Sequence, residues 1–176
     1  MEDIIKIPEG IEAELNDEIL KVKGPLGEVE KRFYHPKISL KKNENTLVIK
    51  TKNDKKKLLA TVGTWKAHMN NMFKGVTNGF EYKMEISHVH FPMTVNIDDK
   101  KIIIKNFLGQ KQLREAKILD GVDVKINGNE ITIKGIDKEK VGQTAGNIEQ
   151  ATKLYKRRDR RIFSDGIYIT SKGEKE

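Results

Sequence analysis

Apolar and polar residues alternate along much of this chain, and the alternation gives way twice to helical spacing. Ile11, Ala13 and Leu15 alternate with polar neighbours, Asn16-Asp17 supplies a turn and residues 19–23 return, which predicts a β-hairpin. Pro25 and Gly27 punctuate the chain, residues 29–33 read as a further strand, and residues 38–40 pair with 46–50 across the turn residues 43–45. Asn53-Asp54 then offers side chains that cap a helix. Leu58, Val62, Trp65, Met69, Met72 and Val76 follow at intervals of three or four, which makes one buried stripe ended by Gly75 and Asn78-Gly79. At that spacing Trp65 and the methionines read as core rather than as a cofactor box. Residues 80–89 alternate again and predict a long linking strand.

The pattern then repeats. With a constant shift of 82 residues, Leu15 meets Ile97, Leu20 meets Ile102, Val22 meets Ile104, Lys23 meets Lys105 and Leu26-Gly27 meets Leu108-Gly109. The block from Ile38 matches the block from Val122 at a shift of 84, so the two blocks together indicate an internal duplication. The second copy also ends in a helix, capped by Asp137 and turning Val141, Ala145 and Ile148 inward. Gly142 and Gly146 lie one turn apart on it, and each costs about 1 kcal/mol relative to alanine. Close approach of the helix to its own sheet would explain them, and so would close approach of a nucleic-acid backbone. The expected fold is α+β: two tandem duplicated domains, residues 1–79 and 80–176, each a small, mainly antiparallel β-sheet packed against one α-helix.

Charge adds what the periodicity does not show. Of 176 residues 34% are charged and 36% hydrophobic, with a net charge of +8, a balance that points to an anionic partner. No apolar run reaches the roughly 18 residues of a membrane span, and no lysine-flanked apolar segment opens the chain, so a soluble, unexported protein is expected. The absence of cysteine excludes disulfides, thiolate zinc sites and cysteine nucleophiles. The histidines at 35, 68, 88 and 90 are scattered, and only His88 and His90 share a face if their segment is a strand, so no metal or other cofactor is expected.

The positive charge concentrates in K-L-Y-K-R-R-D-R-R, residues 153–161. Lys153, Lys156, Arg157, Arg158, Arg160 and Arg161 stand there against Asp159 alone, and four of the chain's six arginines are among them. Such density repels itself unless a polyanion neutralises it, and the guanidinium fork grips phosphate through two parallel hydrogen bonds. A solvated, disordered linker is the plainer reading of a charge run. Against it, Asp165-Gly166 is a turn signal, and Ile167 with Ile169 can pair back onto a sheet, which would hold the basic loop at both ends. Tyr155 is placed either to stack on a base or to be buried at the helix end. Lys105, Lys111 and Arg114 form a weaker basic set, for which solvated surface is the alternative. The charged residues 172–176 are expected to fray.

A duplicated strand-and-helix unit followed by K-R-R-D-R-R-I-F-S-D-G-I-Y-I resembles the archaeal and eukaryotic branch of the large-subunit ribosomal protein six (L-six) family. The likeness covers essentially the whole chain. It runs from Ile7-Pro8, where the family often opens I-P-x-G-V, to R-x-F-x-D-G-I-Y, present as Arg161 to Tyr168. The bacterial branch instead ends in a P-Y-K-G-K-G-type loop that is absent here. The resemblance implies a non-catalytic protein that binds large-subunit rRNA through its second domain. It further implies neighbouring ribosomal proteins as partners and a place near the stalk base, close to where translation factors dock.

Two other classes share parts of this signature. Asp98-Asp99 with His88-x-His90 invites a nuclease reading, but both carboxylates fall in a hairpin turn and no nucleotide-binding or hydrolase motif accompanies them. A free-standing RNA-binding or protein-interaction module outside the ribosome has the same sequence signature.

Overall fold

The apolar runs read as strands all pair antiparallel in the computed structural model, which describes residues 2–51, 55–154 and 164–174. The chain separates into two units, Met1–Gly79 and Phe80–Glu176.

The first unit holds β1 (Glu2–Lys6), β2 (Glu12–Asn16), β3 (Ile19–Gly24), β4 (Gly27–Arg32), β5 (Ile38–Asn43), β6 (Thr46–Thr51) and α1 (Lys56–Thr77). Its sheets run β2-β3-β4 and β1-β6-β5, and α1 lies against β3 and β4. The apolar stripe of α1 is buried as its spacing requires, joined by Phe73, and Trp65 meets Phe33 edge-on with ring centroids 5.4 Å apart. The cap differs from expectation. The N-cap is Lys55, which makes no side-chain cap hydrogen bond; its carbonyl instead accepts from Leu58 and Leu59, and Asn53 and Asp54 lie outside the described residues.

The second unit holds β7 (Phe80–Ser87), β8 (Thr94–Asp98), β9 (Lys101–Lys105), β10 (Arg114–Lys117), β11 (Val122–Asn127), β12 (Glu130–Gly135), α2 (Lys138–Ala151) and β13 (Gly166–Glu174). Its sheets run β10-β9-β8 and β11-β12-β7-β13. The duplication is visible in detail. Leu15 faces Leu20 as Ile97 faces Ile102, and the first residue of each hairpin loop is left-handed, Asp17 at φ 53° and Asp99 at φ 49°. Leu20, Val22, Leu47 and Ile49 are buried, and so are their counterparts Ile102, Ile104, Ile131 and Ile133. The matched pair Leu26 and Leu108 diverges, 47% against 6% exposed.

β7 pairs with β12 as β1 pairs with β6, so β7 is the opening strand of the second copy rather than a link between copies. It stops at Ser87, short of Val89, because the Val89 and His90 amides turn away to the Asp165 carboxylate. β13 has no counterpart among the described residues of the first unit. It runs along the other side of β7 as far as Glu174, with an irregularity between Ile169 and Ser171, so residues 172–174 are paired in the sheet rather than frayed.

Asp137 caps α2 by accepting the Glu139 amide at 2.9 Å, and Val141, Ala145 and Ile148 are fully buried. Packing does not account for the helical glycines. A Cβ on Gly142 would stand 3.7 Å from Tyr82 Oη, an ordinary contact, and one on Gly146 would meet nothing within 4 Å. Gly135 is different, because a Cβ there would lie 2.7 Å from Val141 Cγ2. Gly146→Ala is therefore expected to raise stability by about 1 kcal/mol and Gly135→Ala to lower it by about 1–3 kcal/mol. Chemical denaturation of the two variants checks both signs.

Candidate nucleic-acid interface

The basic segment leaves α2 and returns through β13, and the two roots are joined. Thr152, at the C-cap of α2, is buried; its hydroxyl donates to the Glu149 carbonyl and accepts the Ile167 amide at 2.9 Å. One hydrogen bond thus closes the chain on either side of residues 153–166. Leu154 packs against the core of the unit, and Ile167 is fully buried within it.

The helix end is held a second time by Arg114. Its Nη1 donates to the Ala151 carbonyl at 2.7 Å, its Nη2 to Gln110 Oε1 at 3.0 Å, and its guanidinium lies 4.3 Å from the centroid of the Phe107 ring. A cation at a helix C-terminus satisfies a carbonyl that has no partner within the helix. Sequence reading placed Arg114 in a loose basic set with Lys105 and Lys111, whereas the structure shows it fixing the start of the basic segment. Lys105 and Lys111 are exposed.

The downstream root is Asp165, which is 2% exposed. Its Oδ1 accepts the Val89 amide at 2.8 Å and the His90 amide at 3.0 Å, while Oδ2 meets His90 Nδ1 at 2.7 Å. Burial alone would raise the pKa of this carboxyl, but the hydrogen bonds from the His90 amide and ring and from the Val89 amide outweigh it and bring it down to about 2. Next along, the Tyr168 hydroxyl donates to the Asp165 carbonyl at 3.4 Å, and a Cβ on Gly166 would stand 2.9 Å from that hydroxyl. The D-G-I-Y run therefore works as an anchor: a buried carboxylate, a glycine on which the tyrosine ring closes, a core isoleucine and that ring folded back over the turn.

Lys153 is exposed at the upstream root. With Gln150, Leu154 and Tyr168 it lines a cleft of about 350 Å³. Tyr155, Lys156, Arg157, Arg158, Arg160 and Arg161 lie outside the described residues. Thr152 carries no distinguishing signal in the sequence, and Tyr168 stands there as the end of the R-x-F-x-D-G-I-Y motif without an anchoring role. Asp165 was read only as a turn residue. The nuclease reading finds no support in the geometry: the His90 ring is paired with Asp165, and Asp98 and Asp99 sit at the β8–β9 turn. Among the described residues no group of three or more His, Asp or Glu side chains is placed to hold a metal ion.

A sequence model of the family described as ribosomal protein L6 matches residues 7–79 and 91–166, once on each unit. The large ribosomal subunit protein uL6 of Methanobrevibacter smithii is 49% identical over 168 residues, which cover 96% of this chain and 94% of that protein. The uL6 protein of Methanosarcina mazei is also 49% identical, over 96% of this chain and 95% of its own length. That of Methanothrix thermoacetophila is 43% identical over 98% of this chain and 99% of its own.

Proposed function

Because the chain belongs to the ribosomal protein L6 family, we propose that it binds large-subunit rRNA through its second unit, using residues 153–161 as a loop held at both roots. It is a structural constituent of the large ribosomal subunit in the cytoplasm, not an enzyme. The observation that carries the RNA reading is the double closure around the basic run. The Thr152–Ile167 hydrogen bond and the Asp165 carboxylate hold the chain on either side of the run that contains the six cations. A loop with fixed roots loses less conformational entropy on binding than a free tail does. Lys153, Lys156, Arg157, Arg158, Arg160 and Arg161 are assigned to phosphates, and Tyr155 to a base. Duplex RNA hides its base edges in a deep groove, so such a loop reads shape and phosphate position more than sequence.

The first unit, which carries no comparable cluster, serves placement and contacts with neighbouring ribosomal proteins. The family resemblance supports a position near the stalk base, where translation factors dock. The open face of α2 at Gly146 fits an RNA backbone at close range, in which case Gly146→Ala weakens RNA binding while stabilising the fold.

Sedimentation of a cell lysate in high salt tests the ribosomal reading: the protein is expected to travel with the large subunit, and a purely light fraction would overturn it. Truncation is a poor test of the RNA loop. Removing the chain from Lys153 onward also removes β13 and the buried Ile167, so side-chain substitution is the informative experiment.

A further inference from the structure

Among the described residues, the second unit carries a stretch of left-handed backbone that its sheets do not require. Asn106, Leu108 and Gly109 have φ of 57°, 53° and 72°, three left-handed residues in four. Such strain persists only where the surroundings enforce it, and it tends to mark functional sites. Here buried Phe107 and Leu108 hold the loop from beneath, and Asn106 Nδ2 donates to the Pro92 carbonyl at 2.8 Å. The loop is thereby tied to residues 88–93. Phe91 lies across Gly109, with its ring 3.3 Å from where a Cβ would stand, so the ring rests on bare backbone.

In spite of this support, Phe91 is 45% exposed and Val89 68%. The charge along the two stretches of chain that meet here is one-sided. No Asp or Glu occurs from His88 to Ile97 or from Lys100 to Arg114, while Lys105 and Lys111 are exposed. The same residues 88–91 are fastened by Asp165 to the downstream root of the basic segment. A fixed aromatic face with exposed lysines on the loop that supports it is the pairing that single-stranded nucleic-acid sites use.

We propose that Phe91 and its rim form a second RNA contact, in which the ring stacks on an unpaired base and Lys105 and Lys111 meet the flanking phosphates. This rests on the reading of the second unit as an rRNA binder and adds the kind of RNA it takes: a loop or bulge beside the helix gripped by the arginines.

The test is binding of the full-length protein to large-subunit rRNA across a salt series. Phe91→Ala is expected to weaken binding about tenfold without changing the salt slope, because stacking releases no counterions. Lys111→Ala is expected to lower the slope by about one. Should Phe91→Ala fail to fold, Phe91→Leu keeps apolar cover over Gly109 but offers no ring, and it must show the same loss. Unchanged binding by the Phe91 variants, with the arginine variants impaired, would overturn this inference and leave the rRNA reading intact. Unchanged binding by both sets would overturn both. Normal RNA binding by Phe91→Ala with loss of retention on the subunit would assign the surface to a protein neighbour and reject the RNA contact.

Discussion

Replacing Arg157, Arg158, Arg160 and Arg161 together with alanine is expected to remove most of the salt dependence that the loop gives to rRNA binding. Each neutralised phosphate on a duplex contributes about 0.9 to the slope of log affinity against log salt. The six contacts of the loop by themselves predict an affinity loss of about a thousandfold between 50 and 200 mM salt, and the two that Lys153 and Lys156 keep in the variant predict about tenfold, with any contribution of Lys105 and Lys111 the same in both proteins. Filter binding across that range reads both the slope and the loss of affinity at low salt. Lysine in place of all four arginines keeps the charge but gives up the bidentate fork, so that variant should keep its slope and lose affinity. If the alanine variant retained the wild-type slope, the phosphate contacts would have to lie elsewhere.

The second large effect belongs to Asp165, which carries none of the positive charge. Asp165→Ala is expected to cost about 2–4 kcal/mol, since it removes a buried acceptor from two backbone amides and an imidazole. The pH dependence follows from the direction of its shift. The folded-state pKa is about 2, below the roughly 3.9 of an unperturbed aspartate. The folded state therefore binds the proton less readily, and the stabilisation is complete above about pH 4 and disappears as pH falls toward 2. Thermal melts between pH 6 and pH 2 should show wild type losing stability over that window and Asp165→Asn losing less. Parallel curves would refute the assignment. In RNA binding Asp165→Asn should weaken affinity while preserving the salt slope, because the phosphate contacts remain and only the root of the loop is loosened.

Periodicity made the strand-and-helix framework legible because burial and spacing are both local. Leu20, Val22, Ile102 and Ile104 all sit at the buried positions their alternation indicates, and α1 buries the stripe that its spacing defines. β10 escaped notice because Arg114–Lys117 contains a single apolar residue, Ala116, and is a strand through pairing with β9. The full length of β13 escaped for a related reason. Beyond Ile169 its residues are polar, and what makes them a strand is the edge of β7, more than eighty positions earlier in the chain. The candidate site was half legible. Its charge can be read along a line, but its anchors cannot, because Thr152, Asp165 and Arg114 act on Ile167, on residues 89–90 and on Ala151 across the fold. Charge density marks residues 153–161 along the chain, and long-range hydrogen bonds hold the described residues on either side of them.

The place of β13 in chain order has a consequence for synthesis. The strands and helix of the first unit, and β7 to α2 of the second, are all made before Gly166–Glu174. Until Gly166–Glu174 leaves the translating ribosome, β7 lacks β13 along one edge, Thr152 lacks the amide it accepts, and the arginine run is held on its upstream side alone. A chain stopped before Gly166 would lack the strand that covers the second side of β7 and the amide that Thr152 accepts, and with them the downstream root of the basic run.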